Sequence, residues 1–151
     1  MTSHTVKGFE VRDDLLYDVG HHMWVEVLSE DRVRIGMDSL GVETSGTLAH
    51  LAIFEVGTTL RQGEAFGSLE AEKYVGPLVA PLSGTISAVN TAAAGDPTLV
   101  HAQPYEQGWL IELEPSDFET DRSNLVSGEE AITRRFAEKV TEYRLEGVLA
   151  E

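Results

Sequence analysis

Gly67-Ser68-Leu69-Glu70-Ala71-Glu72-Lys73-Tyr74-Val75-Gly76-Pro77 is the stretch on which the reading of this chain turns, with Pro81 and Gly84 following it. Ala65, Gly67, Leu69 and Ala71 fall on one side of a strand, and Phe66, Ser68, Glu70 and Glu72 on the other, because successive strand side chains alternate in direction. The first set is small and apolar, which suits a closely packed sheet. Leu78 to Val89 supplies a return strand, punctuated by Pro81 and Gly84. A hairpin between these runs puts Lys73 at its tip. The chain has only three lysines, Lys7, Lys73 and Lys139. Lys7 lies near the N-terminus and Lys139 on a predicted surface helix. A single amine held out at a loop apex is what a covalently attached, swinging cofactor requires.

Outward from that hairpin the pattern stays β-rich. Met23 to Leu28 reads as a strand, Ser29-Glu30-Asp31 as a turn, and Arg32 to Met37 as a half-buried strand of alternating character. Asp38 to Thr47 contains Gly41, Ser45 and Gly46, so any helix there is short. Leu48 to Phe54 is apolar and strand-like. Gln62-Gly63 and Glu106-Gln107-Gly108 mark turns, and Trp109, Ile111 and Leu113 make a last alternating strand. From Asp117 the composition shifts. Ser127-Gly128-Glu129-Glu130 has capping-box spacing, Ile132, Phe136, Val140 and Tyr143 share one helical face, and Gly147 stops the helix. The expected organisation is an N-terminal tail (1–20), one β-rich domain (21–117), and a linker with a helix packing on that domain (118–151).

Composition narrows the function. The 151 residues suit one domain with an extension, and no run is long enough to span a bilayer. A formal net charge of −15 argues against binding nucleic acid or an anionic membrane surface. It suits a carrier that docks on basic enzyme surfaces and leaves them. Absent cysteine excludes disulfides, thiolate metal sites and a cysteine nucleophile, and leaves no thiol to trap a dithiol cofactor. His4, His21, His22, His50 and His101 make no metal-ligand spacing, and His21 and His22, if on a strand, point to opposite faces. No metal site is expected. No Walker A, dinucleotide-binding glycine pattern or nucleophile elbow is present. The expectation is a cytoplasmic monomer with no catalytic activity of its own.

Residues 16–117 resemble the H proteins of the glycine cleavage system, lipoyl carriers of the biotinyl/lipoyl hammerhead fold. His22-Met23-Trp24 stands where that family has H-E-W, and Gly36 and Gly46 stand at the ends of its G-I-T-x-x-A-x-x-x-L-G segment. Glu55-Val56-Gly57, Gly63-Glu64, Glu70-Ala71-Glu72-Lys73 (for E-S-V-K) and Pro81-Leu82-Ser83-Gly84 continue the register. Val89-Asn90, Pro97, Leu99-Val100, Pro104-Tyr105 and Gly108-Trp109-Leu110-Ile111 complete it. The resemblance implies a mainly β hammerhead with a C-terminal α-helix and lipoate in amide linkage to Lys73. It also implies a lipoate-attaching enzyme as one partner. Glu70 and Glu72 flank the lysine and are candidates for the surface that enzyme reads; Tyr74, His21 and Met23 are candidates for a cleft that receives the arm.

The departures point further. Family members shelter an amine-bearing cargo with the Glu of H-E-W and an Asp a few residues after the lysine, and Met23 and Pro77 stand there in this chain. Tyr74-Val75-Gly76-Pro77 instead resembles the H-like lipoate-binding proteins of bacterial sulfur oxidation. Partners of the heterodisulfide-reductase-like class, or other dithiol redox and sulfur-transfer enzymes, are therefore the first expectation. Glycine cleavage is the alternative, and an unlipoylated structural or regulatory relative a second. A biotin carrier would show Met-Lys-Met around the acceptor, where this chain has Glu72-Lys73-Tyr74.

Overall fold

The computed structural model describes residues 3–149. β-Branched and aromatic residues spaced by glycine turns make eleven short strands. These are β1 (Ser3–Val6), β2 (Phe9–Arg12), β3 (Leu16–Asp18), β4 (Met23–Ser29), β5 (Arg32–Met37), β6 (Leu48–Ile53), β7 (Thr59–Leu60), β8 (Ala65–Ala71), β9 (Val75–Val79), β10 (Gly84–Val89) and β11 (Ile111–Pro115). Helices α1 (Ser39–Ser45), α2 (Thr91–Gly95), α3 (Thr98–Ala102) and α4 (Phe118–Asp121) are short, and α5 (Glu129–Leu145) is the one long helix among the described residues.

Two sheets share one core. A six-stranded sheet runs β3-β4-β5-β11-β10-β7, and a three-stranded sheet runs β6-β8-β9. Val25, Ile35, Leu113 and Ile86 from the first meet Leu51, Leu69 and Leu78 from the second in a single cluster of buried side chains. Each such side chain, fully buried, contributes roughly 1.5–3 kcal/mol. The fold is mainly β with a C-terminal helix, as the sequence predicts.

A second cluster joins α5 to the sheet. Ile132, Phe136 and Val140 are fully buried with Tyr17, Trp24 and Leu40. Phe136 meets Tyr17 edge-on, ring centroids 5.1 Å apart. The helical face expected from sequence is the one that packs. The expected capping box is not used: Gly128, at φ +87°, occupies the N-cap position without a side-chain hydrogen bond.

Four other expectations need correction. Residues 1–20 are not a tail over their described part. β1 and β2 pair as a hairpin, Val6 and Val11 enter the α5 cluster, and β3 pairs with β4. Met1 and Thr2 lie outside the described residues. The single return strand over Leu78–Val89 is two strands in different sheets, separated at Pro81, whose ring has no N–H to donate. The last strand starts at Ile111, so Trp109 precedes it, stacked under the Arg34 guanidinium at 4.8 Å. Phe66, placed by alternation with the exposed Ser68 and Glu70, is fully buried.

Candidate functional site: the Lys73 hairpin and its cleft

Glu72, Lys73 and Tyr74 form the loop between β8 and β9, closed where the Ala71 N–H donates to the Tyr74 carbonyl at 2.8 Å. Two further bonds tie the loop to the end of α1. The Glu72 N–H donates to the Thr47 carbonyl at 2.9 Å, and the Lys73 N–H donates to the Ser45 carbonyl at 2.8 Å. The backbone is thus fixed while the Lys73 side chain is exposed, with no ion pair or side-chain hydrogen bond among the described residues. By contrast, the Lys139 ammonium lies 3.5 Å from Glu142.

Tyr74 explains the residues after the lysine. Its ring folds back across Gly76, where a Cβ would overlap the phenol, and its hydroxyl donates to the Pro77 carbonyl at 2.9 Å. A side chain at Gly76 would push this ring away. Tyr74 therefore braces the loop and also lines the cleft beside it.

That cleft, about 410 Å³, lies against Lys73 and falls in the size range of small-molecule sites, roughly 300–1,000 Å³. Met23, Met37, Leu69, Pro77 and Leu78 make its apolar wall. Its polar groups come from His21, His22, Thr44, Ser45 and Tyr143, and no carboxylate of the described residues lines it. An exposed, unpaired amine beside an apolar cleft fits an amide-linked lipoyl group: the amine is open to acylation, and the wall can shield an apolar ring.

Of the predicted residues, the structure brings together Lys73, Tyr74, His21 and Met23. Glu70 and Glu72 are exposed on the loop and strand outside the cleft, with Glu72 packed over Gly46. His21 and His22 do not sit on a strand. They occupy the turn before β4, and both line the cleft. His21 is paired with Asp18 at 2.8 Å. No cluster of three metal-ligating side chains exists among the described residues. Sequence reasoning missed Tyr143 and Val148, which bring the C-terminal segment over the cleft, and it missed His22 as a wall residue. The one available signal was Tyr143 on the apolar face of α5. Burial, then the negative field of Asp38, Glu142 and Glu146, holds the Tyr143 hydroxyl protonated above the usual phenol range.

The model of the glycine cleavage H-protein family matches residues 15–138. The chain belongs to the glycine cleavage H-protein family. It is similar to the glycine cleavage system H protein of Mycobacterium leprae (strain Br4923), 41% identical over 108 residues that cover 72% of this chain and 81% of the relative. It is 32% identical to glycine cleavage system H protein 3 of Aquifex aeolicus over 133 residues, 86% of this chain and 83% of that one. The crystal structure of a glycine cleavage system H protein from Mycobacterium marinum superposes with a TM-score of 0.66 at 37% identity, covering 70% of this chain and 87% of the other. Members of the family carry lipoate covalently on a lysine and are carriers, not enzymes. This chain is accordingly a lipoyl carrier. Among the described residues no helix is long and apolar enough to cross a membrane.

Proposed function

We propose that Lys73 is the lipoyl-bearing residue and that the loaded chain serves the enzymes of a glycine cleavage system. The observation that carries the attachment site is the exposed Lys73 amine on a backbone pinned to Ser45 and Thr47, beside an apolar cleft. The family match and the names of the relatives support the pathway. The expected partners are a lipoate-attaching enzyme and the other enzymes of that system. When attached, the lipoyl group supplies a strained disulfide, which is the reactive part. The protein supplies reach, orientation and shelter. Acylation removes the Lys73 charge, and tethering raises the effective concentration of the arm at a docked active site. The formal charge of −15 favours fast, salt-sensitive docking on basic surfaces.

A second reading has its own observation. Among the described residues no carboxylate lines the cleft, and Met23 and Pro77 stand in its wall. An ammonium-bearing cargo there lacks charge-assisted hydrogen bonds, each worth roughly 1.5–3 kcal/mol. Under this reading the arm serves dithiol redox or sulfur-transfer enzymes of the heterodisulfide-reductase-like class. Glycine–bicarbonate exchange with a cognate glycine decarboxylase separates the two. Robust exchange by the lipoylated chain supports glycine cleavage. No exchange, with an arm that a heterodisulfide-reductase-like complex reduces or oxidises, supports the second.

A further inference from the structure

His22 is held in a conformation that few side chains adopt. Its φ is +63°, in the left-handed region that strains a non-glycine backbone. Three features keep it there. The Asp38 N–H donates to the His22 carbonyl at 2.9 Å. Gly41 leaves room for the imidazole, because a Cβ there would collide with that of His22. The Tyr143 hydroxyl lies 2.7 Å from His22 Nε2, the rings 5.7 Å apart between centroids.

The far side of the ring is left incomplete. His22 Nδ1 stands 3.6 Å from Asp38 Oδ1, ion-pair distance but beyond a hydrogen bond. Nδ1 and Asp38 Oδ2 are buried and have no hydrogen-bond partner among the described residues. Asp38 is fully buried, and its Oδ1 accepts from the Gly41 N–H at 2.7 Å. A histidine serving packing alone would find a partner for that nitrogen. An imidazole set against a buried carboxylate is instead prepared for a positive charge, which arises when Nε2 gains a proton. Nε2 faces Tyr143, and Tyr143 and His22 both line the cleft beside Lys73.

Resting on the reading that Lys73 bears the arm, we propose that Tyr143, His22 and Asp38 form a proton relay that accepts the proton of a reduced-arm thiol in the cleft and holds the thiolate. The S–H bond breaks and its proton joins the Tyr143 oxygen, while the Tyr143 hydroxyl proton passes to His22 Nε2. The products are a thiolate and an imidazolium whose Nδ1–H faces Asp38. No electrons change hands, so no oxidant or reductant is needed. A thiolate beside an imidazolium is the arrangement that activates thiols elsewhere. Other charges bear on the relay. From α5, the Lys139 ammonium lies 5.2 Å from the centre of the Tyr143 ring and favours a thiolate, whereas Glu142 and Glu146 oppose it. His21 is engaged by Asp18.

The test compares fully reduced, lipoylated wild type with Tyr143→Phe and His22→Gln, free reduced lipoamide serving as reference. Intact mass first establishes that each sample bears the arm. Alkylation by iodoacetamide across pH then reports thiolate fraction, and the ring-nitrogen NMR signals of His22 report its charge. The wild type is expected to show a thiolate fraction at neutral pH about tenfold above the reference, one unit of pKa. Both variants are expected to match the reference, and His22 to become imidazolium only in the reduced, loaded protein. Tyr143→Phe removes one hydroxyl from a half-buried ring, so it keeps the test open if His22→Gln fails to fold. Loaded wild type and Tyr143→Phe with the same alkylation profile would overturn the relay. An unmodified mass is a different result: it would defeat the attachment reading and the relay with it.

Discussion

The Lys73 N–H and the Ser45 carbonyl are joined at 2.8 Å, so the tip of the β8–β9 hairpin is fastened to the last residue of α1. The amine side chain is exposed, and its backbone is hydrogen-bonded in place. An attaching enzyme meets one defined loop, and the arm starts from one defined point.

Tyr74 is part of that definition. Tyr74→Phe removes the bond to the Pro77 carbonyl and leaves the ring. The bond is exposed, so global stability is expected to change by less than about 1 kcal/mol. The initial rate of enzymatic lipoylation, followed by mass spectrometry, is expected to fall several-fold. A rate equal to wild type would remove the bracing role.

Gly41 is expected to tolerate nothing larger. Gly41→Ala sets a methyl group against the His22 Cβ, an overpacking defect of about 1–3 kcal/mol by urea denaturation. Adding His22→Ala relieves the collision, so the double variant should be more stable than the sum of the singles predicts. Strict additivity would show that the two residues do not meet.

α5 is held by its buried face. Phe136→Ala empties a fully buried site against Tyr17 and is expected to cost about 3–5 kcal/mol. Chemical denaturation measures it, and a loss below 1 kcal/mol would mean that the helix is not docked in solution.

The hairpin tip, the mainly β class and the α5 face could be read from the chain because each rests on local pattern: glycine and proline around Lys73, period-two alternation, and Ile132, Phe136 and Val140 at helical spacing. The N-terminal hairpin could not. β1 and β2 have four residues each, and what recruits Val6 and Val11 is a helix more than 100 positions away. The break at Pro81 looked like punctuation within one strand, because sequence alone does not say which sheet each half joins. The place of His21 and His22 in the turn before β4 goes with a backbone feature that local pattern does not announce, the positive φ of His22. Tyr143 reads as one more apolar position on a helix until the fold lays it over the cleft.

Buried phenols set an alkaline limit. Burial raises Tyr17 and Tyr105 above the ordinary phenol range, and raises Tyr143 in the same direction. Between the unfolded value near 10 and these raised values, the unfolded chain holds fewer protons than the folded one, so stability falls as pH rises. The urea midpoint is expected to hold between pH 8 and about 9.5 and to decline above about pH 10. A midpoint that stays flat to pH 11 would contradict the burial of these hydroxyls.

The role of Lys73 can be read directly from intact mass and peptide mapping of the chain after coexpression with a lipoate-attaching enzyme. One lipoyl addition is expected, on the peptide containing Lys73, and none on a Lys73→Arg variant that keeps its fold. A wild type that stays unmodified, or an addition that persists in Lys73→Arg, would contradict the account.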